Sequence, residues 1–168
     1  TDWPFAAVLC ATYYAFPMDR LIWRYKEEHR LDHARPLASL MVSRIRRHNG
    51  PRPELLVPVP AAPHRLRARG FDQALELARA CGRQLGIPVR HDLFQRRADR
   101  QSQKQLNARQ REGHMADAFI PNRLRGLPSH VALVDDVLTT GATVRQLAAL
   151  LHRAGVREVE VWALARVL

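Results

Sequence analysis

A chain of 168 residues, 46% hydrophobic and 26% charged, has the length and balance of one soluble globular domain. No apolar run approaches the ~18 residues of a membrane-spanning helix, and the apolar stretch 6–15 is too short, with no basic stretch before it, for a signal peptide. The net charge of +11 is unusually basic, and of 27 basic residues only Lys26 and Lys104 are lysine. Arginine grips phosphate in bidentate fashion, which suits nucleic acid, nucleotides or pyrophosphate. A coding bias on solvated faces accounts for the same surplus, and composition does not separate the two.

Residues 5–16 read as one or two short strands that end near Pro17. Residues 19–28 carry Leu21, Ile22 and Tyr25 at helical spacing, and 31–47 carry Leu37, Leu40, Met41 and Ile45 as a second helical stripe. Asn49, Gly50 and Pro51 stop that helix. Residues 55–60 form a buried strand running into a proline-marked loop, and 61–70 read as a basic loop holding His64, Arg65, Arg67 and Arg69. A helix over 72–85 follows, with Phe71, Ala74, Leu75, Ala78, Cys81 and Leu85 on its apolar side and Gly86 ending it. Residues 89–94 read as a strand, 95–115 as a mobile loop or loosely held helix, and 116–120 as a short strand. After a linker come a strand at 131–134, a helix at 143–154 and a final strand at 158–167. This order predicts an α/β domain with a mostly parallel sheet flanked by helices. One domain over 1–168 is expected, with 1–50 as an N-terminal elaboration and 51–168 as the core.

Only Cys10 and Cys81 are present. They form neither a metal spacing nor a disulfide framework, and reduced thiols in a cytoplasmic protein are expected. His29 and His33 lie four apart, but no third ligand is near, so zinc is not expected there.

The most informative run is Val131-Ala132-Leu133-Val134-Asp135-Asp136-Val137-Leu138-Thr139-Thr140-Gly141-Ala142-Thr143-Val144. Its strand delivers Asp135 and Asp136 to its carboxyl end, where open α/β sheets bind ligands. The loop Leu138, Thr139, Thr140, Gly141, Ala142 and Thr143 offers backbone N–H groups and three hydroxyls. The helix behind it adds an unsatisfied N-terminus that favours an anion. Gly141 permits a close backbone approach or a turn with φ > 0. Carboxylates beside an anion cradle are reconciled by a ligand that brings hydroxyls or a divalent cation. The run resembles the binding motif for 5-phosphoribosyl 1-pyrophosphate (PRPP) of type I phosphoribosyltransferases. The resemblance implies that Asp135 and Asp136 hold the ribose hydroxyls and serve catalysis, that the loop holds the 5′-phosphate, and that Mg²⁺ rides on the pyrophosphate.

Two more segments narrow the family. Leu56-Val57-Pro58-Val59-Pro60 followed by Arg69-Gly70-Phe71-Asp72-Gln73-Ala74 resembles the signature of the ComF/GntX branch of phosphoribosyltransferase-like proteins, tied to DNA uptake and competence. The spacing of 103–106, Arg109, Arg111, Ala118 and Phe119, and the final Val161-Trp162-Ala163-Leu164-Ala165-Arg166, is similar to the same family. The resemblance implies that the loop after the first core strand meets pyrophosphate through Ala61, Ala62 and Arg69. It also implies that 95–115 is a hood, with Lys104, Arg109 and Arg111 available to pyrophosphate. Arg65 and Arg67 read better as solvated charges, Phe71 and Trp162 better as core, and Gln73 has no assigned role. Asp72 stands where the family usually has Asn, Arg100 and His114 where Thr and Asn are expected, and the family's four-cysteine zinc module is not within these residues. An Mg²⁺-dependent transfer of phosphoribosyl to a base or nucleoside-type acceptor is the activity implied. A homodimer is an open expectation. The alternative is a non-catalytic PRPP or nucleotide sensor, or a binder of single-stranded DNA working with competence proteins.

Overall fold

The computed structural model describes residues 4–97 and 118–167. Its main sheet has four strands, all parallel, in the order β1-β6-β5-β2: β1 is Ala7–Tyr13, β2 Leu55–Pro58, β5 His130–Leu138 and β6 Glu158–Arg166. Two short strands, β3 (Phe94–Arg96) and β4 (Phe119–Pro121), pair antiparallel as a separate ribbon. The helices are α1 (Met18–Glu27), α2 (Ala34–Arg46), α3 (Pro63–Arg69), α4 (Gln73–Leu85) and α5 (Ala142–Arg153). Among the described residues no helix is long and apolar enough to cross a membrane.

The sheet is parallel because its strands are apolar on both sides and need cover on both. Alternation sorts the side chains. Leu56, Ala132, Val134, Trp162 and Leu164 face one cluster, shared with Ile22, Tyr25, Leu37, Met41, Leu77 and Cys81 from α1, α2 and α4. Leu55, Val57, Val131, Leu133, Val159 and Val161 face the other, shared with Leu147 and Leu151 of α5 and with Phe94 and Phe119 of the ribbon. The N-terminal fifty residues are thus built into the fold, as an edge strand and much of one helical layer. Truncating a wholly buried side chain such as Leu147 costs about 3 kcal/mol at such sites.

Several local expectations change. Residues 63–69 are a helix: Pro63 sits in its first turn and Gly70, at φ +74°, caps its end. The strand expected at 89–94 is reduced to a single bridge from Val89 to Leu56, and pairing starts at Phe94, with its partner at 119–121. The strand expected at 131–134 runs on to Leu138, so the acidic pair lies within it. On α4 Leu77, absent from the expected apolar side, is buried with Ala74, Ala78 and Cys81, while Leu75 is partly exposed. Lys104 and most of the expected hood lie outside the described residues.

Because α4 covers one face and α5 the other, the chain leaving β2 and the chain leaving the adjacent β5 turn to opposite sides of the sheet. A crevice opens between two such diverging loops at the carboxyl ends of the strands. The site lies there.

Candidate functional site

The crevice is a cavity of about 470 Å³. It is lined by the acidic pair, the 138–144 loop, the segment after β2 with Ala61 and Ala62, and Arg69 of α3. Every sequence-predicted site residue within the described range therefore faces one space.

Each wall has a local cause. Gly141 adopts φ +75° and caps α5 without a side-chain hydrogen bond from the cap, leaving the helix's first N–H groups to face the loop. The Thr140 hydroxyl accepts the Ala142 N–H at 3.3 Å and folds the loop over that end. The Asp135 carboxylate accepts the Asp136 N–H at 2.8 Å, and the Asp136 carboxylate accepts the Val137 N–H at 2.6 Å. Burial, reinforced by the negative charge of Asp136, holds the Asp135 carboxyl well above the usual carboxylate range.

The second loop is tied down by Asp72, the N-cap of α4. Its carboxylate accepts the Leu75 N–H at 3.1 Å and the Ala61 N–H at 3.3 Å. Asp fills the capping role as well as Asn does, and burial raises this carboxyl too. Two expected pyrophosphate donors are therefore already engaged: the Ala61 N–H by Asp72 and the Arg69 guanidinium by Glu27. Arg65 lines the cavity beside Arg69.

The structure adds residues that the sequence reading passed over. Lys26 of α1 places its Nζ 2.8 Å from Asp136 Oδ2, and both side chains are largely covered. Gln73 lines the cavity and is buried, and its side-chain nitrogen has no hydrogen-bond partner. Tyr14 and Arg96 complete the rim. One signal in the sequence did mark Lys26: it is one of only two lysines among 27 basic residues. By contrast Trp162 lies in the core, wholly buried, with its indole N–H donating to Glu160 at 2.7 Å.

The 23–29 stretch of α1 and its exit explain why the Arg69-Gly70-Phe71-Asp72-Gln73 motif sits where it does. The Tyr25 hydroxyl donates to the Gln73 carbonyl at 2.9 Å and its ring meets Phe71 edge-on at 5.6 Å. Glu27 binds Arg69, and the His29 ring bonds the Arg69 carbonyl. Phe71 is thus core packing.

No family model matches the chain. Competence protein F of Haemophilus influenzae is 35% identical over 160 residues, covering 92% of this chain and 70% of that protein. The DNA utilization protein YhgH of Escherichia coli K12 is 33% identical over 172 residues, covering 98% and 74%. Competence protein ComFC of Streptococcus pneumoniae is 34% identical over 110 residues, covering 66% and 47%. Among solved structures, the allosteric regulatory enzyme of purine biosynthesis matches with a TM-score of 0.55 at 20% identity, over 85% of this chain and 30% of that one. The chain belongs to the family of Competence protein F and the DNA utilization protein YhgH, and its fold is that of the type I phosphoribosyltransferases.

Proposed function

We propose that the cavity binds PRPP with Mg²⁺ and that the protein transfers the phosphoribosyl group to a base or nucleoside-type acceptor. The observation that carries this reading is the convergence of an anion cradle at Gly141, an acidic pair and a second, basic loop on one cavity. In this reading the N–H groups and hydroxyls of Thr139, Thr140, Gly141, Ala142 and Thr143 take the 5′-phosphate. Asp135 and Asp136 accept the ribose hydroxyls and lend negative charge to a ring that becomes cationic as pyrophosphate leaves. Oxygen donors here suit Mg²⁺, which takes one or two carboxylates alongside ligand phosphates. Bound with the ligand, it supplies neutralisation of leaving-group charge. Arg69 and Arg65 stand on the same side of the cavity as the second loop, and Lys104 is proposed to join them. The names of the relatives, competence and DNA utilization, support the handling of DNA or its products as the setting of such a reaction.

Calorimetry tests it. PRPP is expected to bind only with Mg²⁺ present, ribose 5-phosphate more weakly, and a panel of bases then to release pyrophosphate. Absence of PRPP binding by the intact protein sinks the reading.

One observation favours a second reading, a surface for single-stranded DNA. Tyr13, Tyr14, Phe16 and Trp23 are exposed around the end of β1 and α1, and the Arg20 guanidinium lies 5.5 Å from the Phe16 ring centre. Exposed aromatics beside arginine stack bases without regard to sequence. DNA affinity that falls steeply with salt, and that survives loss of the acidic pair, supports this reading.

A further inference from the structure

We propose that Lys26 is a further ligand-binding residue of this cavity: it holds Asp136 in the structure and passes to the pyrophosphate group when PRPP binds. The inference rests on the PRPP reading and names a residue outside both motif loops. Three observations carry it.

The first is geometric. Lys26 Nζ sits 2.8 Å from Asp136 Oδ2, with the two side chains only 21% and 15% exposed, on the wall of the cavity. A lysine there is the one cation in direct contact with the acidic pair among the ion pairs of the described residues. A ligand whose hydroxyls claim Asp136 must loosen that pair, and the released ammonium then faces whatever anion the ligand brings.

The second is mechanical. The turn of α1 that carries Lys26 is fixed on both sides, by Tyr25 to the Gln73 carbonyl and by Glu27 to Arg69. Its backbone position is therefore set by the same segment that bounds the cavity opposite the phosphate loop. Only the four-carbon stem of Lys26 needs to move.

The third is chemical. In a chain that uses arginine at nearly every basic position, a lysine stands here. A guanidinium would clamp a carboxylate with two parallel bonds, whereas an ammonium is a compact charge with three donors on a flexible stem, suited to changing partners. A donor of this kind would add to Arg65, because Arg69 is engaged by Glu27 and the Ala61 N–H by Asp72.

The test compares wild type, Lys26→Met and Lys26→Arg by calorimetry with PRPP and Mg²⁺, and separately with ribose 5-phosphate, which carries no pyrophosphate. Lys26→Met is expected to weaken PRPP by about tenfold or more, the scale of a lost charge-assisted hydrogen bond. Ribose 5-phosphate is expected to bind as before or more tightly, because a competitor for Asp136 is gone. Lys26→Arg is expected to recover most of the PRPP affinity. Equal weakening of both ligands would mean that Lys26 merely shapes the acidic pair, and unchanged PRPP affinity would mean that it does not touch the ligand; either outcome overturns the inference while leaving the PRPP reading intact. Failure of wild type to bind PRPP overturns both. A second, spectroscopic readout exists, because a chain with two lysines gives two side-chain ammonium signals. Addition of inorganic pyrophosphate with Mg²⁺ is expected to shift the Lys26 signal, assigned by its loss in Lys26→Met, and a static signal at saturation counts against the proposal.

Discussion

The two ends of the central sheet bury carboxylates in opposite ways. Near the amino end, Glu160 is 3% exposed and fully partnered: one oxygen meets His130 Nε2 at 3.0 Å and the other accepts the Trp162 indole N–H at 2.7 Å. Its β-sheet neighbours Ala7 and Ala132 leave room for that network. At the carboxyl end, Asp135 and Asp136 lie side by side, bonded to backbone N–H groups and to one lysine, with Asp135 pushed toward its protonated form. A satisfied buried network fixes a core. A crowded carboxylate pair in a cleft is the arrangement in which functional sites are found.

The comparison breaks most sharply at Glu160. Replacing it with Ala strands the His130 ring and the Trp162 N–H in the core, and a loss of about 3 kcal/mol is expected in urea unfolding. A change below about 1 kcal/mol would show that the network is not structural.

Asp135→Asn together with Asp136→Asn is expected to leave the fold intact and weaken PRPP by about a hundredfold, roughly 2.7 kcal/mol. Calorimetry beside circular dichroism checks it; unchanged affinity would remove the acidic pair from the site.

Asp135→Asn alone is expected to stabilise the protein at neutral pH, because burial and the Asp136 charge oppose ionisation of the carboxyl that it removes. The sign follows from linkage. The folded protein holds this proton to higher pH than the unfolded chain, whose carboxyl titrates near 3.8. Its contribution is fully present below that pH and is lost as pH rises through the folded value. The variant should therefore show a flatter decline of melting temperature above pH 4, and an unchanged profile would place the strain elsewhere.

The smallest effect belongs to Glu27. Its pair with Arg69 is partly exposed on the glutamate side, so Glu27→Gln is expected to cost at most ~1 kcal/mol in stability. It frees the Arg69 guanidinium, and a modest gain in pyrophosphate affinity is expected by calorimetry.

Much of the site was legible because its parts are consecutive. Strand, acidic pair, Thr-Thr-Gly loop and helix follow one another from Val131 to Val144, and a parallel strand must hand its carboxyl end to the loop behind it. The reading of α3 as a loop failed for a local reason. Pro63 and Gly70 marked both of its ends, but its seven residues carry no apolar stripe, and Leu66, its one bulky apolar residue, is exposed. The strand expected at 89–94 failed because a strand exists only where a partner is offered, and the ribbon's partner lies at Phe119–Pro121.

The sequence by itself determined the layered α/β class, the strands with apolar character on both sides, and the small-residue loop between the acidic pair and the helix that follows, because these depend on residue type and near neighbours along the chain. Only the tertiary structure decided that α4 and α5 cover opposite faces and so open the crevice, that Asp72 and Glu27 engage donors expected to be available, and that Lys26 reaches Asp136 from the far end of the sequence. Contacts between distant segments are set by how the layers dock, here by Tyr25 against Phe71 and Gln73, and no local pattern records that distance.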